Sequence, residues 1–460
     1  KWIGWVMPAN TTAMRGGLRQ RIEEVLQPAV TQISSLREEG SHQGPRRRVQ
    51  NVQIVAALIG LFVHLEGSLA QIMMRLYHMP ISDSALSQRR ARMGSELFEQ
   101  IARRVLGPLA DAQRHSSAFF KGLLLTGIDA SKWSLPNTPA NARAPKARTR
   151  RGPAAFAKLR MSTLVELGSH APLGAALSWE HSDEQCLSRQ LFTQLPAGCL
   201  LILGRLYGHA PMLQDLQTHT RAVGSHFLVR VRGKLAVRVQ RSHADGSAEV
   251  AVSLRDKQRP RQEVAALITR EVRGRVWSRA QKQWVEVRLW TSLSCRQASA
   301  RQLIELYARR WEQELFYKQL KLNLRHSELV QSHTPKSAAQ ELLAMLMASR
   351  LLAEERLAAA AQGEEGSVAD ACAMRVSFAK CRIHMLGLWI TLSAGEGILS
   401  TSQQEQLIDA VRAQIAREAL PKRRSRTCER KLRQPVSKWP RMLKPVSLSS
   451  TPKFTVSIIA

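Results

Sequence analysis

Hydrophobic residues recur along this chain with two different periods, and the change of period separates helical from strand-rich parts. In the first part, apolar positions have helical spacing in four segments, at about 17–38, 52–65, 69–77 and 85–93. Gly67-Ser68 supplies a turn after the second segment, and residues 80–83 supply a stop and an N-cap before the fourth. The pattern predicts a group of short helices at the N-terminal end.

Short apolar runs replace the helical period after residue 115. Residues 121–129 fit a strand buried on both faces, with Asp129 at its C-terminal end. The runs 159–167 and 173–179 predict two further strands, followed by a helix and a strand at 201–203. Alternating apolar and polar residues then predict five strands, at 226–232, 234–240, 249–254, 264–272 and 284–291. The order of these elements indicates an α/β fold with a mixed sheet.

One predicted helix carries a stripe of four polar residues, Tyr307, Arg310, Glu314 and Lys321. Their offsets are 0, 3, 7 and 14, so at 3.6 residues per turn they fall within an arc of roughly 60°. Ser299 with Gln302 reads as a capping box that begins the helix. An apolar stripe is expected beside the polar one, formed by Ile304, Trp311, Leu315 and Leu322. On an arbitrary helix, a solvated face with charge pairs would explain the same pattern.

The charge of the chain narrows the class of partner. Lys and Arg number 68 against 36 Asp and Glu, giving a net charge of +32 and a pI near 11.1. Such a chain is attracted to polyanions, with affinity dominated by the release of counterions. Because 44% of its 460 residues are hydrophobic, it can bury a large core and is not a basic tail. Its length indicates two to four domains.

The cysteines and the apolar runs exclude several other classes. The six cysteines are scattered without a CxxC pair, which disfavours structural zinc and a disulfide framework. The longest apolar stretch, 54–63, is too short to span a bilayer, and no signal peptide is recognised. A cytoplasmic, nucleoid-associated location without membrane contact is therefore expected.

The four polar residues of the capped helix match a known signature. Tyr-x2-Arg-x3-Glu-x6-Lys, at residues 307, 310, 314 and 321, resembles without a gap the signature of the insertion-sequence-four family of bacterial DDE transposases. The resemblance runs from about residue 20 to about residue 445 and is strongest at 299–323. It implies a ribonuclease-H-like catalytic core with a β-rich insertion, preceded by an α-helical domain and followed by a basic tail.

The same resemblance implies roles for individual residues. Glu314 takes the place of the third metal-binding carboxylate, and Asp129 that of the first. Tyr307, Arg310 and Lys321 are then expected to position DNA phosphate near the cut. Arg205 is expected to bind DNA as well. The family's reaction uses a metal-activated water to nick the element end, and the freed 3′-hydroxyl attacks the target strand. Two divalent ions about 4 Å apart support this chemistry, and oxygen ligands suit Mg²⁺ or Mn²⁺.

The second carboxylate is missing from its expected place. The family has Asp in a stretch resembling apolar-apolar-Asp-Arg-x-Tyr, and here Arg205 and Tyr207 match while Gly204 occupies the Asp position. Asp215 would lie about 16 Å further on if the segment is helical, and residues 183–184 are expected at the far end of the strand. A site with two of three acidic ligands is expected to hold metals poorly, with a rate loss on the order of a thousandfold or more.

Two further regions are expected to contact DNA. The N-terminal helices resemble a helix-turn-helix arrangement, in which the contacts would come from Gln88, Arg89, Arg90 and Arg92. A helical bundle with a solvated basic face explains the same pattern. Beyond residue 421 the chain is strongly basic, and its arginines, among them Arg423, Arg424 and Arg426, are expected to bind phosphates without sequence preference.

The sequence thus predicts a transposase of a bacterial insertion sequence that binds element ends and catalyses DNA cleavage and strand transfer. Its partners are the terminal inverted repeats and target DNA, with a homodimer in the DNA complex. The alternative is a catalytically inactive, transposase-derived DNA-binding protein, and a general basic nucleic-acid-binding protein is a third. Five parts are expected: a helical DNA-binding domain (1–115), the core in two pieces (116–223 and 285–361), the β-rich insertion (224–284), and a C-terminal helical region with the tail (362–460).

Overall fold

The computed structural model describes most of the chain between residues 16 and 420. The described residues are 16–37, 49–64, 66–144, 146, 148–149, 152–179, 183–232, 235–255, 263–278, 283–362, 375–418 and 420. They belong mainly to one compact unit, Lys1–Val276 with Glu286–Lys422. A second unit comprises Trp277–Val285 and Arg423–Ala460, and only two strand ends of it are described.

The four predicted N-terminal helices are present, although the first ends at Val30 rather than near residue 38, and a fifth helix follows that was not predicted. They are α1 (Leu18–Val30), α2 (Asn51–His64), α3 (Leu69–Tyr77), α4 (Asp83–Met93) and α5 (Glu96–Val105). Ser68 begins α3 with a capping box, since its side chain and that of Gln71 each satisfy a backbone N–H of the other residue. Ser82 caps α4 through the N–H of Ala85. The turn signals in the sequence therefore mark the starts of α3 and α4.

A ten-stranded mixed sheet forms the centre of the molecule. Its first strands and the helices between them are β1 (Phe119–Phe120), β2 (Leu123–Ser134), α6 (Pro139–Ala142), β5 (Lys158–Glu166), β6 (Pro172–Trp179), α7 (Glu184–Phe192), β7 (Cys199–Gly208), α8 (Ala210–Ala222) and β8 (His226–Val231). A separate two-stranded ribbon is formed by β3 (Arg148–Thr149) and β4 (Gly152–Pro153). Strands β2, β7 and β8 are parallel neighbours, whereas β5 and β6 continue antiparallel from β2.

The predicted insertion strands extend the same sheet. They are β9 (Arg238–Ser242), β10 (Ala248–Arg255), β11 (Glu263–Ser278) and β12 (Gln283–Thr291). The strand order is β6-β5-β2-β7-β8-β12-β11-β10-β9, with β1 beside β2. The expected insertion began at residue 224, but β8 pairs in parallel with β7 and so belongs to the central part of the sheet. The first strand predicted for the insertion is therefore a parallel neighbour of β7.

The capped helix of the sequence is less regular than expected. It consists of α9 (Ala300–Tyr307), a 3₁₀ turn at Ala308–Arg310, α10 (Trp311–Gln319) and a π turn at Leu320–Leu324. The expected apolar stripe is wrong, because Trp311 and Leu322 are 54% and 65% exposed. The buried face is formed instead by Phe316, Tyr317, Leu320 and Leu324. The changes of helical period rotate the later residues away from the face that a regular helix would give them.

The N-terminal helices share a hydrophobic core with the C-terminal ones, which are α11 (Pro335–Gln362), α12 (Phe378–Ala394) and α13 (Thr401–Arg417). Arg21 of α1 binds Glu354 and Glu355 of α11 at 2.8 and 3.0 Å. Arg412 of α13 binds the other oxygen of Glu355 at 2.8 Å. Since Glu355 is fully buried, removing either arginine would leave this carboxylate in the core with one of its two positive partners.

In the parts of the chain that the structure describes, no single helix is long and apolar enough to cross a membrane. Helices α2 and α3 meet the length and composition only when taken together, and they are bent by 107°.

Candidate active site

Asp129 and Glu314 converge on one guanidinium group. Arg310 Nη2 lies 2.5 Å from Glu314 Oε1, and Arg310 Nη1 lies 3.8 Å from Asp129 Oδ2. All three side chains are partly exposed, at 26% for Arg310, 30% for Asp129 and 37% for Glu314. The two carboxylates that the sequence singles out therefore face a common, solvent-accessible cleft.

Asp129 lies within its strand rather than at the strand's end. Strand β2 continues to Ser134, so the expected end at residue 129 is wrong. The antiparallel partner β5 explains the extension, since Asp129 pairs with Thr163 and the ladder continues to Ser134. The parallel partner β7 stops pairing at Ile128, opposite Leu203. Asp129 thus sits where β7 leaves β2, and this separation opens the cleft.

Gly204 follows Leu203 on β7 and flanks the same cleft. A Cβ atom built on Gly204 would have Arg310 Cδ at 3.9 Å and Arg310 Nη1 at 4.0 Å, which is ordinary van der Waals contact. The position that the family resemblance assigns to the second carboxylate therefore adjoins the guanidinium that Asp129 and Glu314 share. There is space for a side chain at position 204, but glycine has none.

The backbone of Asp129 is tied to the helix that carries Glu314. The Tyr317 hydroxyl lies 2.8 Å from the carbonyl oxygen of Asp129 and 3.0 Å from that of Met161. Thr163 Oγ1 donates to the Tyr317 oxygen at 2.8 Å, and Gln313 Nε2 donates to Thr163. These buried bonds hold α10 against β2 and β5, and so fix the distance between the two carboxylates.

Burial and charge act in opposite directions at this site. Burial raises the pKa of Asp129 above its usual range, while the N–H of Ala130 and the charge of Arg310 oppose the shift. For Arg310, burial alone would lower the pKa, but the bond to Glu314 raises it overall. The guanidinium therefore stays charged and remains a permanent counter-ion of the carboxylates.

Glu184 lies closer to this site than the sequence predicts. It was expected at the far end of the strand, yet it accepts a hydrogen bond from the Tyr207 hydroxyl at 3.3 Å. Burial, and next the charge of Asp129, raise the pKa of Glu184. The Tyr207 hydroxyl also contacts Ser188 at 2.9 Å. Helix α7 thus brings an acid toward the cleft, which the position of Glu184 in the sequence did not reveal.

The donor atoms match the chemistry of a divalent cation but are few. Asp129 and Glu314 offer only oxygen ligands, and a positive group already stands between them in the form of Arg310. Among the described residues, no group of three or more His, Cys, Asp or Glu side chains is close enough to hold a metal ion. Asp129 and Glu314 are therefore the residues at this site that could hold a divalent ion, and the neighbouring Gly204 has no side chain to add to them.

The other signature residues are Tyr307 and Lys321. Tyr307 is partly buried, and burial raises its pKa. Lys321 Nζ lies 5.3 Å from the centre of the Trp133 ring, close enough for a cation–π interaction. Burial, together with Arg325 and Lys158, lowers the pKa of Lys321. The structure therefore places a second cation beside the end of β2.

An arginine-lined cavity of about 400 Å³ opens next to β7 and the insertion. Its basic lining consists of Arg205, Arg230, Arg273 and Arg288. Glu271 holds Arg273 and Arg288 at 2.5 and 2.8 Å, and this buried carboxylate also accepts the indole N–H of Trp290. Only Arg205 was identified from the sequence, because the other three arginines lie on separate strands, β8, β11 and β12.

The N-terminal residues predicted to contact DNA divide into two kinds. Gln88 and Arg92 are exposed on α4, and Arg89 is partly exposed. Arg90 points inward instead, where it donates to Gln340 Oε1, Ser332 Oγ and the carbonyl of Ser337 at 3.0 to 3.2 Å. The prediction that Arg90 contacts DNA is therefore replaced by a structural role, because its side chain joins α4 to α11. The arginines of the basic tail, Arg423, Arg424 and Arg426, lie outside the described residues.

Comparisons with known proteins agree on one family. The family described as "Transposase DDE domain" matches residues 122–351, half of the chain. That range contains Asp129, Gly204 and Glu314. Transposase InsG for insertion sequence element IS4, from Escherichia coli (strain K12), is 26% identical over 325 residues, which cover 69% of this chain and 72% of that protein.

Proposed function

We propose that this chain, which belongs to the transposase DDE domain family and is a transposase of the IS4 kind, binds the ends of its insertion sequence and catalyses DNA cleavage and strand transfer with divalent metal. The convergence of Asp129 and Glu314 on one cleft carries this proposal. A carboxylate on a central strand and another on a facing helix form an oxygen-ligand pair suited to Mg²⁺ or Mn²⁺.

We interpret the β6-β5-β2-β7-β8 part of the sheet as the ribonuclease-H-like core. Its first three strands are antiparallel and its last two continue in parallel from β2, with α7 connecting β6 to β7. In this interpretation, the insertion is β9–β12, and it grows from the core sheet through the pairing of β12 with β8.

Within the site, each side chain has a distinct task. Asp129 and Glu314 would hold the metal, which when bound lowers the pKa of the attacking water and stabilises charge on the departing oxygen. Tyr307, Arg310 and Lys321 bind and orient DNA phosphate beside the carboxylates. Arg310 is suited to this because its planar fork matches phosphate oxygens in pairs.

Duplex DNA would make further contacts with basic residues outside the cleft. The arginine cavity adjoins the cleft through Arg205, which lies directly after Gly204 on β7. Gln88, Arg89 and Arg92 of α4 would add contacts in the N-terminal part, and the basic tail would bind phosphates without sequence preference. Such contacts position the duplex, and they do not depend on metal. Assembly on two element ends would bring two copies of the chain together.

Gly204 favours a second candidate function for this copy. Because two of three carboxylates remain, the chain would bind element ends and fail to cut them, and so act as a catalytically inactive DNA-binding transposase. The empty position next to Arg310 is the observation that favours this alternative.

The two candidates differ in one measurable property, Mn²⁺- or Mg²⁺-dependent nicking of a duplex that carries the terminal repeat of the element. We compare the unaltered chain with Gly204→Asp, Gly204→Asp combined with Glu314→Ala, and Glu314→Ala alone. Nicking by the unaltered chain that disappears in Glu314→Ala supports the enzyme. Nicking only by Gly204→Asp supports the inactive copy, and no nicking by any folded, DNA-binding variant contradicts the assignment of the site.

A further inference from the structure

We propose that Arg310 couples DNA binding to metal binding, because its guanidinium occupies the metal position between Asp129 and Glu314 until DNA phosphate draws it away. This proposal rests on the proposed function and adds an order of assembly to it: DNA first, metal second. Arg310 then has a second task besides holding phosphate. Before DNA and metal bind, its positive charge neutralises the carboxylates of Asp129 and Glu314.

The geometry places Arg310 where a metal ion would have to bind. Its two terminal nitrogens reach Asp129 Oδ2 at 3.8 Å and Glu314 Oε1 at 2.5 Å. The third side of the cleft, at Gly204, contributes no carboxylate that could hold the guanidinium or an ion separately. A divalent ion bound by both carboxylates would share the space of a permanent positive charge, and like charges so close repel strongly.

Phosphate is the acceptor that can release Arg310. The side chain is 26% exposed, so part of it is open to solvent and accessible to a phosphate group. A phosphodiester accepts a paired hydrogen bond from Arg much as a carboxylate does. Moving the guanidinium from Glu314 to phosphate leaves two carboxylates without a counter-ion, and this pair then attracts a divalent cation.

Linkage makes the coupling reciprocal. If DNA raises the affinity for metal by some factor, metal raises the affinity for DNA by the same factor. An Arg310→Gln variant lacks the charge that excludes the ion, so without DNA it should bind metal more tightly than the unaltered chain does. In this variant no guanidinium can move from Glu314 to phosphate, so DNA should change the metal affinity little.

The test measures Mn²⁺ binding to the full chain by electron paramagnetic resonance, with and without a 20-base-pair duplex of arbitrary sequence at low salt. For the unaltered chain we expect the duplex to raise Mn²⁺ affinity about tenfold. For Arg310→Gln we expect about tenfold tighter Mn²⁺ binding without DNA, and a change of less than about twofold on adding DNA. Arg310→Lys keeps the positive charge but not the forked guanidinium, so its affinity for Mn²⁺ without DNA should remain as weak as that of the unaltered chain.

Arg301→Gln is the matched control, since Arg301 lies on α9, is 88% exposed and pairs only with Glu305 among the contacts described for it. It removes one positive charge from the same segment and should behave like the unaltered chain. Circular dichroism confirms that each variant is folded. If Arg310→Gln does not fold, Arg310→Met serves in its place, because it retains the aliphatic stem.

The proposal is overturned if a folded neutral variant at 310 binds Mn²⁺ no more tightly than the unaltered chain, or if DNA raises the affinity of both equally. Failure of Mn²⁺ to bind under every condition overturns it as well. The proposed function is judged separately by nicking: coupling without nicking leaves this inference standing and contradicts the catalytic proposal for this copy.

Discussion

Gly204 and Arg310 face each other across the cleft, with the Arg310 Cδ atom 3.9 Å from the place where a Cβ on Gly204 would be. The glycine thus stands beside the one guanidinium that both carboxylates share. An added side chain at 204 would point into the space where it could join Asp129 and Glu314.

Replacing Gly204 should leave the protein stable. Because no close contact opposes a Cβ there and the residue lies in a strand, we expect Gly204→Ala and Gly204→Asp to change the free energy of unfolding by less than about 1 kcal/mol. Gly208, on the same strand, is the matched control: a Cβ there would lie 2.0 Å from the backbone oxygen of Arg230. Gly208→Ala should lose about 3 kcal/mol or more. Urea unfolding followed by circular dichroism measures both, and equal losses would contradict the space assigned to Gly204.

Substitutions at Arg90 and Arg92 should affect different properties: protein stability for Arg90 and DNA binding for Arg92. Arg90→Gln removes three hydrogen bonds to α11 and its preceding loop, and we expect a loss of about 1.5–3 kcal/mol in the free energy of unfolding. Arg92→Gln removes an exposed charge, and we expect unchanged stability. In DNA titrations, Arg92→Gln should weaken binding and lower the salt slope by about 0.9. A stability loss in Arg92→Gln alone would reverse the two assignments.

Asp245 joins the insertion to the helix that leads to Glu314. Its carboxylate accepts the N–H of Ala300, the first residue of α9, at 2.8 Å and binds the buried Arg270 at 2.5 Å. We expect Asp245→Asn to cost about 2–3 kcal/mol of unfolding free energy. Asp215→Asn is the control, since Asp215 pairs with Arg189 where both are about one third exposed, and it should lose less than about 1 kcal/mol.

Asp245 also predicts a pH dependence. Burial works to raise the pKa of Asp245, but the bonds from Ser247, Ala300 and Arg270 hold it at about 2, below the usual 3.8. For a depressed carboxyl pKa, the stabilisation is complete above about pH 4 and is lost as the pH falls toward 2. Urea midpoints at pH 3 and pH 6 should therefore differ less in Asp245→Asn than in the unaltered chain. An equal difference in both would assign the acid sensitivity to other groups.

The arginine cavity should contribute to DNA binding through charge alone. Arg230→Gln removes one cation from its lining, and we expect weaker binding and a salt slope smaller by about 0.9 for each phosphate that is no longer neutralised. The measurement is a set of DNA titrations between about 50 and 200 mM salt. Arg301→Gln, which removes an exposed charge from α9, should leave the slope unchanged. Equal effects in the two variants would indicate a general effect of net charge.

Local patterns in the sequence located most of the elements. The capping box of Ser299 and Gln302 is confirmed in both of its hydrogen bonds, and the strands 159–167 and 173–179 are within a residue or two of β5 and β6. These features depend on neighbours in the chain, so the sequence contains their signal. The continuation of β2 past Asp129 depends on pairing with β5, more than 20 residues away, and the pattern of residues 121–129 could not show it.

The parts of the site that escaped prediction are long-range contacts. Arg90 was expected to face DNA because its neighbours are basic, yet its partners lie about 240–250 residues further on. The cation between Asp129 and Glu314 could not be deduced from the stripe alone, since a helix pattern gives the direction of Arg310 but not what stands opposite. The 3₁₀ and π turns likewise changed which residues of 300–324 are buried.

The core shared by the first and last helices has a consequence for the order in which the protein folds during synthesis. Arg21 on α1 pairs locally with Glu24, but it finds Glu354 and Glu355 of α11 more than 330 residues later, and Arg412 on α13 completes the same cluster. The ribosome therefore releases the N-terminal helices long before α11, α12 and α13 exist, and the apolar positions that pack against those three helices stay uncovered until then. A chain whose synthesis stops within the sheet lacks this part of the core.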